Sequence, residues 1–265
     1  MNEAILSGLL NAGTDPMDVV ATVRRAERAA ELAERHHGIT AIAGVEEPDN
    51  NKQAAKGSSV VILGVKPVGI TELAREISGS IAPDTLVISV AAAVSIAQLE
   101  GALPEGQPVI RTMPNTPSKL GRGVVSVSGG THCSPEQLQR AKDILAAVGT
   151  VVEIPEEQID ALGAISGSGP AYAFYLAEAM AAAGVELGLD EELALLLARE
   201  TVAGAGLMLA EPGADPGALR KAVTSPNGTT ERAIATFDER GMPAIIAAGA
   251  RAAADRAAEL TKQLG

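Results

Sequence analysis

A change of pattern near Pro155 constrains this fold more than any other feature of the sequence. Between Val19 and Pro155 short β-branched runs, "VVATV", "ITAIAGV", "VVILGVK", "LVISVAA", "PVIRTMP", "VVSVSGG" and "TVVEIP", alternate with helix-length stretches such as Glu27 to Arg35 and Pro135 to Val148. Several runs are apolar throughout, as strands covered on both faces must be. Such alternation builds a doubly wound α/β domain. Beyond Pro155 the strand pattern stops, and "DALGAISGSGPAYAFYLAEAMAAAGVELGL", "DEELALLLARETVAGAGLMLAEPG", "GALRKAVTSPNGTTERAIATFDERG" and "MPAIIAAGARAAADRAAELTKQLG" read as Ala- and Leu-rich helices punctuated by Gly and Pro. The expected fold class is an α/β Rossmann-type domain over residues 1–155 followed by an all-α domain over 156–265.

The opening "MNEAILSGLLNAG" adds a second constraint. Ala4, Ile5, Leu6, Leu9 and Leu10 make the stripe of an amphipathic helix, and Gly13 after Asn11 is its stop. A doubly wound nucleotide domain runs strand, glycine-rich turn, helix, strand. Here the chain supplies the helix and the strand after it, so the first strand and its glycines are expected to be missing.

With nearly half of its 265 residues apolar, the chain can build a sizeable core, but with no Trp, two Tyr and two Phe that core must be made of Ala, Val, Leu and Ile. Helices so rich in small residues approach closely and bury against a second copy, which predicts a dimerisation domain. The formal charge of −12 disfavours a phosphate backbone as partner. Cys133 is the only cysteine, so no disulfide forms within the chain, and a cytoplasmic location fits. His132 beside Cys133 would need further metal ligands, and the other histidines are the adjacent His36 and His37, so no metal is expected. No apolar run reaches membrane-spanning length, and no basic segment followed by a hydrophobic one opens the chain.

Four stretches carry candidate chemistry. The end of the second strand in a Rossmann domain selects the cofactor, by an acid for the ribose 2′-hydroxyl of NAD or arginines for the 2′-phosphate of NADP. After "VVATV" stand Arg24 and Arg25, with no acid before Glu27, which favours NADP; a solvated charge pair at a helix start is the plain alternative. "LGVKP" places Lys66 and Pro67 past a central strand, and "SVAAAVS" ends the next with residues small enough for backbone contact with a ligand. "RTMPNTPSKLGRG" sets Asn115 in a rigid connection, for which a structural turn is the simpler reading. Last, "AVTSPNGTTERAIATF" breaks one helix at Ser225 to Gly228 and starts another at Thr229, leaving free N–H groups beside three hydroxyls. That is a cradle for a small carboxylate, or else a plain helix connection with a Thr cap.

Taken together, "VILGVKP", "VIRTMPNTP", "DALGAISGSGPAYAF" and above all "LRKAVTSPNGTTERAI" resemble the pyrroline-5-carboxylate reductases, across nearly the whole chain. The resemblance implies reduction of the C=N bond of 1-pyrroline-5-carboxylate to L-proline with NADPH or NADH, the last step of proline biosynthesis. It also implies a helical domain interlocked with a partner copy, as a dimer or a ring of dimers. It places the substrate against Ser225, Thr229 and Thr230, with Glu156 as a further neighbour, and the cofactor against Arg24, Asn51, Val65, Lys66, Pro67, Ala91, Ala92 and Asn115. Thr230 is the hydroxyl expected to meet the ring nitrogen, and backbone N–H groups from Asn227 to Thr230 are expected to hold the carboxylate. This sequence departs from the family pattern in three places. The G-x-G-x-M-G loop that holds the pyrophosphate has only its tail here, Asn227 stands where a second glycine of "PGG" is usual, and Ala93 where glycine is frequent. Two rivals follow: a non-catalytic or cofactor-impaired dimeric protein of the same fold, and a β-hydroxyacid dehydrogenase. The second needs a helical lysine, and Glu157 to Leu187 contains no Lys, Arg or His.

Overall fold

The computed structural model describes residues 1–264. It divides into two compact units, Met1–Gly167 together with the chain from Ala254 on, and Ser168–Ala253. The first unit contains α1 (Asn2–Asn11), β1 (Val20–Val23), α2 (Ala26–Arg35), β2 (Thr40–Ala43), α3 (Asn50–Ala55), β3 (Val60–Leu63), α4 (Ile70–Ile77), β4 (Leu86–Ser89), α5 (Ile96–Glu100), β5 (Val109–Pro114), β6 (Gly123–Gly129), α6 (Pro135–Ala146), β7 (Gly149–Glu153) and α7 (Ile159–Leu162). Each of the seven β-branched runs is a strand.

These strands form a parallel pair, β1 with β2, and a five-stranded sheet in the order β3, β4, β5, β6, β7. No described strand joins β1 to β3; in a doubly wound sheet that junction belongs to the strand ahead of the first helix. Within the larger sheet every pairing is parallel except β5 with β6. The reversal has a local cause. From Asn115 to Arg122 the chain makes one 3₁₀ turn that closes on Gly121 at φ +67°, too short a path for the helical crossover a parallel return needs.

Alternation along β4 and β5 accounts for the apolar runs. Val87 and Val109 enter one cluster, with Leu63, Ile70, Ile77 and Leu99. Their neighbours Leu86, Ile88 and Ile110 enter a second, with Ile5, Val125 and Leu145. Successive side chains point to opposite faces of a strand, so both faces are covered and no position is left for a polar residue. Each such Leu or Ile contributes about 1.5–3 kcal/mol of burial. Ile5, almost wholly buried, ties α1 into the second cluster.

The second unit holds α8 (Gly169–Glu186), α9 (Glu191–Leu209), α10 (Pro216–Ala222), α11 (Thr229–Glu239) and the first part of α12 (Met242–Leu264). α8 and α9 pack so closely that a Cβ on Gly184 would lie 3.0 Å from the Ala194 Cβ. Asp190 starts α9 by accepting from the N–H groups of Glu192 and Leu193. Among the described residues of this unit only Ala194 and Ala198 are buried, while Phe174, Tyr175, Leu207 and Ile245 are 64–71% exposed.

The single helix expected from Asp160 to Leu189 is interrupted. After α7 the chain makes a π-helical segment, Gly163–Gly167, before α8 begins with Pro170 in its first turn. Pro170 has no N–H to donate and so belongs at a helix start. No described helix is long and apolar enough to cross a membrane.

Candidate active site

Several cofactor-side candidates lie just past the carboxyl ends of strands, where open α/β sheets bind ligands. Arg24 and Arg25 follow β1 directly; both are exposed and neither has an ion-pair partner among the described residues. Val65, Lys66 and Pro67 follow β3, with Val65 and Lys66 exposed and Pro67 opening a 3₁₀ turn. Past the adjacent parallel strand β4, Ala91 is buried, Ala92 is exposed, and Ala93 adopts φ +61°. A left-handed backbone costs an alanine about 1–2 kcal/mol.

The first turn of α1 sits beside these loops. The Asn2 amide donates to the Gly64 carbonyl oxygen at 2.5 Å, and Glu3 pairs with Arg28 and Arg35 of α2, with His36 Nε2 3.4 Å away. Burial alone would raise the Glu3 carboxyl, but the hydrogen bonds and charges of Arg28 and Arg35 outweigh it and hold its pKa at about 2. No side chain caps α1, so its first N–H groups stay open beside a cleft of about 660 Å³ lined by Met1, Asn2, Arg28, Gly64 and Lys119. An uncapped helix N-terminus, two unpartnered guanidinium groups and a small-residue loop fit a phosphorylated dinucleotide.

Two asparagines are held by the fold itself. Asn51 donates to both Glu76 carboxylate oxygens, at 3.2 and 3.3 Å. Asn115 is buried; it accepts from the Val124 N–H and donates to the Ser166 carbonyl oxygen, each at 2.9 Å. Sequence reasoning missed Asn50. Its buried amide donates to the Val23 and Ile42 carbonyl oxygens and so ties together the ends of β1 and β2 next to Arg24.

In the second unit, Val223 to Gly228 form the loop between α10 and α11. Asn227 takes φ +59°, a conformation asparagine tolerates better than most residues. Its N–H donates to Glu231 Oε2 at 2.7 Å, and the Gly228 N–H donates to the Ser225 carbonyl oxygen at 3.0 Å. The amide cradle expected from Asn227 to Thr230 is therefore half taken by the loop's own bonds. Thr229 and Thr230 remain: their N–H groups, and the hydroxyls of Ser225, Thr229 and Thr230, have no partner among the described residues. Thr230 is half-buried, whereas Ser225 and Thr229 are exposed. The positive end of α11 adds to the attraction of this cluster for an anion.

Glu156 lies elsewhere. In the first unit its Oε1 accepts from Arg111 Nη1 at 2.8 Å and from the Ile96 N–H at 2.7 Å. Among the described residues no group of three or more His, Cys, Asp or Glu could hold a metal. Burial raises the pKa of the Cys133 thiol, the opposite of a reactive or ligating cysteine.

Residues 156–260 match the family described as pyrroline-5-carboxylate reductase dimerisation, and residues 1–93 match one described as NADP oxidoreductase coenzyme F420-dependent. The pyrroline-5-carboxylate reductase of Corynebacterium melassecola is 42% identical over 265 residues, which cover 99% of this chain and 96% of that protein. A solved pyrroline-5-carboxylate reductase from Coxiella burnetii has a TM-score of 0.90 at 35% identity, covering 98% of this chain and 94% of that one. The Plasmodium falciparum pyrroline carboxylate reductase, solved with NADP bound, shares the fold with a TM-score of 0.80 at 22% identity, again over 98% and 94% of the two chains. With identity at this level over almost the full length of its relatives, and two unpaired threonines at the head of α11, the chain belongs to the pyrroline-5-carboxylate reductase family.

Proposed function

We propose that this chain reduces the C=N bond of 1-pyrroline-5-carboxylate to L-proline with NAD(P)H, the last step of proline biosynthesis. The observation that carries this reading is the unpartnered set of hydroxyls and N–H groups at Ser225, Thr229 and Thr230, in a chain so similar to proteins named for that reaction. The N–H groups of Thr229 and Thr230 hold the substrate carboxylate, and the Ser225 and Thr229 hydroxyls complete its ring of donors. Thr230 directs its hydroxyl at the ring nitrogen, where negative charge would collect as the C=N carbon is reduced. Holding the ring in one pose makes the reaction effectively unimolecular. NAD(P)H, when bound, supplies the hydride.

The residue range 1–155 acts as the dinucleotide-binding domain and 156–265 as the helical dimerisation and substrate-binding domain. Arg24 and Arg25 hold the 2′-phosphate and favour NADPH, with NADH as a weaker substitute. Val65 to Pro67, Ala91 and Ala92 offer backbone to the rest of the cofactor; Asn51 and Asn115 join this contact from positions already braced by Glu76 and Ser166. The protein works in the cytoplasm as a dimer or a ring of dimers, without metal, nucleic acid or membrane.

Purified chain mixed with pyrroline-5-carboxylate and NADPH should consume the nicotinamide absorbance and release L-proline; absence of proline with either cofactor refutes the reading. Replacing Arg24 and Arg25 together by Ala should raise KM for NADPH roughly ten-fold, the loss of one charge-assisted contact, while sparing NADH. Equal changes for the two cofactors would remove the phosphate role.

A further inference from the structure

The geometry points to Glu156 as a positioning residue that holds the β4–α5 loop in shape for the cofactor, through Arg111 and the Ile96 N–H. This rests on the reading of Ala91 and Ala92 as cofactor contacts. The loop from Val90 to Ser95 is bracketed from β5 by two neighbouring residues. Before the loop, the Thr112 hydroxyl donates to the Ser89 carbonyl oxygen at 2.9 Å. After it, Arg111 holds Glu156, and Glu156 Oε1 accepts from the N–H of Ile96, the first residue of α5.

Arg111 is only 5% exposed and its Nε has no partner, so the buried guanidinium depends on Glu156 for its compensating charge. Between the two brackets stands Ala93 in a left-handed conformation. Strain of this kind persists only where the surroundings over-determine the backbone. Buried Ala91 and Val94, the reciprocal cap between Ser95 and Gln98, and the Glu156 bond together supply that constraint. With the bond at Ile96 gone, Ala93 is free to relax and the exposed Ala92 backbone shifts with it.

The test is NADPH titration of the full chain by nicotinamide fluorescence, alongside steady-state kinetics. Glu156→Ala should weaken NADPH binding about ten-fold, with kcat at saturating NADPH changed far less. Glu156→Gln keeps an oxygen that accepts from both donors and should restore affinity to within about three-fold. Ile96→Pro removes the N–H while leaving the Arg111–Glu156 pair, at a helix position that suits proline and after a Ser95 already extended at φ −77°, ψ 161°. It should weaken NADPH as Glu156→Ala does, and it keeps the test open if Glu156→Ala does not fold. Unchanged NADPH affinity in Ile96→Pro overturns the inference, as does an equal fall of kcat in Glu156→Ala and Glu156→Gln, which would mark a carboxylate acting on substrate. A parent chain that binds no NADPH would sink the cofactor reading and this inference with it.

Discussion

Every residue of β4 in the first unit is buried, and its apolar ones feed two clusters on opposite faces of one sheet. In the second unit, Ala194 and Ala198 alone among the described residues are buried, and leucines line the outside of α9. The contrast separates two ways of stabilising a chain. Alternating strands between helices close a core without outside help. Helices built on Gly and Ala approach each other closely but leave their large side chains facing outward, on a surface far above what single soluble chains expose. The family match over 156–260 names the remedy, dimerisation.

A charge placed on the open unit tests this contrast most severely. Leu207→Glu should abolish self-association in sedimentation equilibrium, because an unpaired carboxylate in an apolar interface costs several kcal/mol. Met17→Glu, on an equally exposed residue of the first unit, should leave the assembly intact. Thr230→Ala should then show that the substrate chemistry belongs to the second unit. Loss of one such hydrogen bond costs about 2–4 kcal/mol of barrier, two to three powers of ten in turnover, with NADPH affinity retained. Activity within a few-fold of the parent would exclude the assigned role.

Each unit also has one non-glycine residue at positive φ, Ala93 in the first and Asn227 in the second. Ala93→Gly should stabilise by about 1 kcal/mol, a rise in melting temperature of about 2–4 °C. Asn227→Gly should give only a few tenths of a kcal/mol, since asparagine already accepts the left-handed region. The smallest effect concerns the tie between α1 and α2. Glu3 titrates at about 2 in the folded chain against an ordinary value of 4.5, so its contribution is present above pH 4.5 and is lost as pH falls toward 2. Glu3→Gln should flatten the melting temperature against pH within that window and leave neutral pH nearly unchanged.

Legibility in the sequence followed the range of the interactions. "LVISVAA" and "PVIRTMP" announce β4 and β5 because burial on both faces allows nothing polar along the run. The reversal between β5 and β6 was invisible, since strand direction depends on what the Asn115–Arg122 turn can span. The π-helical segment at Gly163–Gly167 has a composition that suits any helix. In the site, Ser225, Thr229 and Thr230 were readable as a broken helix followed by hydroxyls. That Glu231 would take the Asn227 N–H was only hinted at by an acid in the first turn. The pairing of Glu156 with Arg111 spans 45 positions of sequence, and no local pattern signals it.

The uncovered helices make abundance a part of folding for this protein. Each freshly synthesised copy carries an oily flank until it meets a sister, and that meeting quickens with concentration whereas the closing of the first unit does not. Scarce chains therefore spend longer as prey for proteases and for clumping, and the cell obtains working enzyme in more than simple proportion to the message it translates.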